Sequence, residues 1–164
     1  MKVFNFFMYY KYMNCIHRWN YNTIISENIR DLIIKEIKMF IDLNKHIRLK
    51  GLHNDSCICW SFPKPTINKE LIYFNGLEDP GEAFIFNFDH IQKNGYCNTY
   101  RRPYDLIVKL TLLSISNHIL NFKFSSDETY EQWQEAIGLY TQYLGNMSLD
   151  FSRHNFREIS CDFV

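Results

Sequence analysis

The side chains best placed to do chemistry fall in one short stretch: Thr99, Arg101, Arg102 and Tyr104, around Pro103, where an extended segment gives way to an apolar run. Proline suits the first position of a helix, because its missing N–H would have no partner there anyway. A helix start exposes free N–H groups and a partial positive charge, which attract phosphate or carboxylate. An isolated helix favours acids in its first turn, so two arginines at that point call for a compensating anion. The chemistry expected is the binding of an anionic small molecule by a hydroxyl, one or two guanidinium groups and backbone donors. The competing expectation is structural: Asp105, or an acid from elsewhere, pairs with the arginines, as surface charges usually do.

Other groupings fit their chemistry less well. Zinc takes four donors in a tetrahedron, usually from Cys-x2–4-Cys pairs. Here His53, Cys57, Cys59 and Cys97 offer a Cys-x-Cys spacing on an expected strand, which holds the two sulfurs apart. Cys97 with His53, His90 or His118 could form a nucleophile and base, but five Cys and six His supply such pairs by number alone. Glu82 and Asp105 as paired carboxylates have nothing to set their separation. Lys2, Lys11, Arg18 and Trp19, with the nearby tyrosines, could stack on and track unpaired bases, although the basic density is low for a nucleic-acid arm. No catalytic residue, metal ligand or cofactor is expected from these patterns.

The elements that must position these residues follow from composition and periodicity. A chain of 164 residues fits one domain, and 46% hydrophobic with 22% charged residues matches a packed globular core. The 17% aromatic content accompanies abundant Asn, Ile and Lys, the bias of AT-rich coding. Eighteen basic residues balance eighteen acidic ones, and a protein gripping long nucleic acid usually carries a basic excess. The balance hides an asymmetry: residues 1–125 are net basic and residues 126–164 net acidic. Five cysteines, an odd and irregular set, argue for reduced thiols and a cytoplasmic setting. The N-terminal stretch lacks an aliphatic core and a small-residue cleavage site, so no signal peptide is expected, and no run of 18 apolar residues suggests a membrane span.

Residues 1–25 show no clean periodicity. Ile29, Leu32, Ile33, Ile37, Phe40, Leu43 and Ile47 recur at helical steps, predicting a helix over about 27–48 from Ser26 toward Gly51. Strands are expected at 57–62, 71–75, 82–88, 96–100 and 122–124, with Asn94-Gly95 as a turn. A buried helix follows Pro103, and a last helix runs to Gly145 behind a capping box of Ser125 and Glu128. The core should include Ile33, Ile37, Phe40, Trp60, Leu110, Leu113, Trp133 and Ile137. The expected class is α+β, an antiparallel-dominated sheet of about five short strands backed by three helices, in the order α-β-β-β-β-α-β-α. Residues 26–145 form the single domain, residues 1–25 a poorly defined segment and residues 146–164 a partly ordered tail.

The pattern Cys97-x-Thr99-x-Arg101-x-Pro103-Tyr104-Asp105, with Gly81-x-Ala83-Phe84, resembles small proteins of bacteria and their viruses over roughly residues 50–145. That resemblance implies no activity. The leading expectation is a small cytoplasmic binding or regulatory protein acting through a protein partner. The alternative is an enzyme or ligand-binding domain for an anionic small molecule at the start of the second predicted helix.

Overall fold

The computed structural model describes residues 14–52, 62–89, 92–145 and 154–156. Among them are eight strands: β1 (Ile16–Asn22), β2 (Leu49–Lys50), β3 (Thr66–Ile67), β4 (Leu71–Gly76), β5 (Phe84–Asn87), β6 (Gln92–Asn98), β7 (Lys123–Ser126) and β8 (Asn155–Phe156). The helices are α1 (Glu27–Leu43), α2 (Asp105–His118) and α3 (Gln134–Leu144), with a 3-10 turn at Tyr130–Trp133. The class is α+β, as expected, but the strands number more than five and follow a different order. They form two sheets. The first, in the order β6-β1-β7-β8, is mixed rather than antiparallel-dominated, because β7 and β8 run parallel. In the second, β4 pairs with β2, β3 and β5.

Strand β1 lies in the stretch where no periodicity was expected. Its side chains do alternate, with His17, Trp19 and Tyr21 buried and Arg18, Asn20 and Asn22 exposed. The inward set is aromatic and amphipathic rather than aliphatic, which disguises the period-two signal. Asn94-Gly95 is no turn. It sits inside β6, with Gly95 opposite Trp19 and a Cβ there colliding with the indole, so glycine serves close approach rather than reversal. Trp19 meets Phe84 at 4.8 Å and Tyr21 meets Phe86 at 5.0 Å, an aromatic seam that joins the two sheets.

Helix α1 stops at Leu43, before the expected end. The backbone N–H and the side-chain amide of Asn44 both return to the Phe40 carbonyl, at 3.1 and 2.8 Å. Helix α2 is buried on nearly every side, from Ile107 to Ser116, as an apolar helix without a polar face must be. Its few hydroxyls are satisfied: Thr111 donates to the Ile107 carbonyl, and Ser114 donates to Glu36 at 2.7 Å. Glu36 also holds His118 at 2.7 Å and accepts from Tyr140, so one carboxylate ties α1, α2 and α3 together.

The capping box forms four residues later than expected, between Thr129 and Gln132. Ser125 and Ser126 are instead ladder residues opposite Arg18 and His17. Of the expected core, Ile33, Ile37, Phe40, Leu110, Leu113 and Trp133 are fully buried, and Ile137 packs partly buried against them. Trp60 lies outside the described residues.

Candidate functional site

Strand β6 ends at Asn98, and the chain must then reverse to enter α2. It does so through Tyr100 and Arg101, both left-handed, with φ of 51° and 56°. Neither is glycine, and left-handed backbone costs an ordinary residue roughly 1–2 kcal/mol. Such outliers persist where the surroundings over-determine them, and they gather at functional sites. Thr99 and Arg101 therefore do not alternate along one strand face, as an extended reading of 96–100 would place them. Helix α2 begins at Asp105, so Pro103 belongs to the turn and not to the first helical position.

This turn brings together a buried polar cluster. Asp105, at the first turn of α2, meets His17 of β1: the imidazole Nε2 lies 2.7 Å from Oδ1. The Thr99 hydroxyl donates to the same oxygen at 2.5 Å, and the Cys15 thiol at 3.6 Å. On the other side, Lys109, one helical turn along, contacts Asp105 Oδ2 at 2.8 Å and pairs with Glu128. Its ammonium also donates to the Gln132 carbonyl at 3.2 Å and lies 5.8 Å from the Trp133 ring. Glu128 in turn faces Arg101, with Nε 3.7 Å from Oε1.

Burial opposes the charge of Asp105, but the hydrogen bond from His17 and the nearby Lys109 outweigh it and hold its carboxyl well below the usual carboxylate range. Burial likewise opposes the charge of Lys109, yet Asp105 and then Glu128 push its pKa up. Each ion keeps the other charged. Burial, reinforced by Asp105, pushes the Cys15 thiol up, and burial takes Cys97 up to about 12.

These shifts decide what the cluster can do. A cysteine nucleophile must be a thiolate, and its histidine must use one nitrogen for the thiol and the other for an orienting acid. Here Cys15 Sγ, at 3.4 Å, and Asp105 both approach Nε2, and Nδ1 has no hydrogen-bond partner among the described residues. The arrangement is not a nucleophilic triad. In front of the cluster lies a recess of about 260 Å³, with Arg101, Arg102, Lys109, Glu128, Gln132 and Glu135 in its lining.

The four residues expected to bind an anion divide in two. Arg101 and Arg102 line the recess, and each has a buried Nε–H without a hydrogen-bond partner among the described residues. Arg102 also pairs with Asp79. Thr99 and Tyr104 are buried behind them, Thr99 on Asp105 and Tyr104 donating to the Glu82 carbonyl at 2.8 Å. Of the other groupings, His53, Cys57, Cys59 and His90 lie outside the described residues. Cys97 is buried against the Glu82 carbonyl, and His118 belongs to the Glu36 tie. Glu82 accepts from the Asn98 backbone, so Glu82 and Asp105 do not act as a carboxylate pair.

Sequence reasoning missed Cys15, His17, Lys109 and Glu128. One signal was present: Asp105 and Lys109 are four apart, the spacing of neighbours on one helix face, in a run otherwise almost free of charge. No protein-family model, curated protein or solved structure matches this chain. No helix among the described residues is long and apolar enough to cross a membrane.

Proposed function

We propose that this chain is a binding protein whose recess between the 99–102 turn, α2 and the 3-10 turn takes up a small molecule bearing a carboxylate or phosphate. The observation that carries this reading is the pair of arginines at the strained turn, both lining the recess together with Lys109. Strain at Tyr100 and Arg101 costs stability, and a ligand held at the turn recovers part of that cost. The lining balances Arg101, Arg102 and Lys109 against Asp105, Glu128 and Glu135. That balance favours a ligand that carries a donor or a cation beside its anionic group. The volume is small for a ligand site, suiting a metabolite of amino-acid size. Burial that raises the Cys15 thiol pKa, and a histidine approached by thiol and carboxylate on the same nitrogen, favour binding over catalysis.

Calorimetric titration with inorganic phosphate and with small amino acids tests the reading. Charge-assisted hydrogen bonds are worth about 1.5–3 kcal/mol each, so Arg101→Gln or Arg102→Gln should weaken binding roughly 10- to 150-fold. The melting temperature should stay nearly unchanged. If the substitutions unfold the protein, the arginines are structural ion-pair partners; if a stable double variant binds as well as the parent, the recess is not the site.

A second reading, a protein partner, draws on a different surface. Ile85 and Tyr96, 52% and 63% exposed, flank a groove of about 260 Å³ between β5 and β6, floored by Trp19, Tyr21 and Phe86. Exposed apolar side chains beside a groove are the usual mark of a docking surface. Loss of partner capture on Ile85→Lys, with binding at the recess intact, would favour it.

A further inference from the structure

Three donor atoms converge at the buried end of β1: Cys15 Sγ, His17 Nε2 and Asp105 Oδ1. We propose that they, with a carboxylate oxygen of Glu128, form a binding site for a thiophilic divalent ion of the zinc class.

The donor set is the first argument. Thiolate, imidazole and carboxylate in one site select zinc over magnesium or calcium, which take oxygen alone. Spacing is the second. Zinc bonds of about 2.0–2.3 Å in a tetrahedron set neighbouring donors roughly 3.3–3.7 Å apart. Cys15 Sγ stands 3.4 Å from His17 Nε2 and 3.6 Å from Asp105 Oδ1. The His17–Asp105 separation, 2.7 Å, is that of a hydrogen bond, and it widens by roughly an ångström or less when an ion takes the proton's place. One ligand atom from each of the four residues lies within 4.8 Å of all the others.

The surroundings are the third argument. Ligating carboxylates are normally fixed by outer hydrogen bonds. Thr99 holds Asp105 Oδ1, and Lys109 holds Asp105 Oδ2 and Glu128 Oε2. On Asp105 the ammonium contacts Oδ2, leaving Oδ1 to the thiol and imidazole. An entry path exists, because Asp105 and Glu128 line the recess in front of the cluster. In the binding step the ion enters as a dication, the Cys15 thiol proton leaves to solvent, and the imidazole proton moves from Nε2 to Nδ1. No electron is transferred.

The site is independent of the anion reading, and its test uses metal alone. Cobalt(II) titrated into the reduced full chain should give a thiolate-to-metal charge-transfer band and the visible bands of a tetrahedral ion, both erased by zinc. Cys15→Ser and His17→Gln should each abolish the charge-transfer band or weaken binding by at least tenfold. Cys97→Ser and the Cys57→Ser/Cys59→Ser double variant should keep it. Thr99→Val, which removes only the outer hydroxyl, should weaken binding about 10- to 100-fold. Should Cys15→Ser fail to fold, His17→Gln and Thr99→Val make the same decision. No band in the parent protein, a band that survives Cys15→Ser, or one lost with Cys57 and Cys59 overturns the proposal.

Discussion

Asp105 accepts from His17, Thr99 and Cys15 on one oxygen and meets Lys109 on the other, all within the protein interior. Its folded pKa is depressed, against an unfolded value of about 3.9. The stability it contributes is therefore complete above about pH 4 and drains away as pH falls through the folded value. Lys109 is shifted the opposite way, up from about 10.4. Its contribution is complete below that pH and is lost as pH rises through the folded value. Melting temperature followed against pH should decline on the acid side below about pH 4, and Asp105→Asn should make that decline shallower. An acid limb unchanged by the substitution would show that Asp105 is not the group responsible. The same pair explains why Lys109 tolerates burial: removing one member of a buried pair strands the other charge, at about 3–5 kcal/mol.

At the scale of elements, β6 shows how one packing contact can override a local signal. An Asn-Gly pair is the strongest short-range turn signal, yet here both residues stay in the ladder opposite Trp19 and Asn20. The indole lies against Gly95, so Gly95→Ala forces the ring or the strand to move, costing about 1–3 kcal/mol. A smaller side chain at position 19 should relieve that cost. Denaturant unfolding of Gly95→Ala in the parent and in Trp19→Leu should show a coupling above about 0.5 kcal/mol. Strict additivity would mean that the glycine is there for some other reason. The aromatic bias that composition alone attributes to coding finds structural use at this same place, where Trp19, Tyr21, Phe84 and Phe86 close the seam between sheets.

Across the whole molecule, α2 is the central element, with α1 and α3 packed on it and β7 beside it. Leu113 is fully buried in the core. Leu113→Ala should cost about 2–5 kcal/mol, read as a drop in denaturant midpoint, whereas Leu120→Ala on the exposed surface should change little. Equal effects would place the core elsewhere. The helices were legible in the sequence because a 3.6-residue apolar stripe is a local pattern, written in residues a few positions apart; Ile33, Ile37 and Phe40 needed no partner to be recognised. That a strand gives way to a helix near Pro103 was legible for a similar reason, though the left-handed turn at Tyr100 and Arg101 between them was not. What the local pattern could not express is distance in space. Cys15 and His17 lie some 90 residues from Asp105, and only the pairing of β1 between β6 and β7 sets them beside it. Glu128 likewise reads locally as half of a capping box, whereas in the fold its carboxylate meets Lys109 of α2 and Arg101. Sequence alone determined which helices bury apolar surface; tertiary structure alone decided where the charges meet, because buried charges are stable only beside partners that the fold brings from far along the chain.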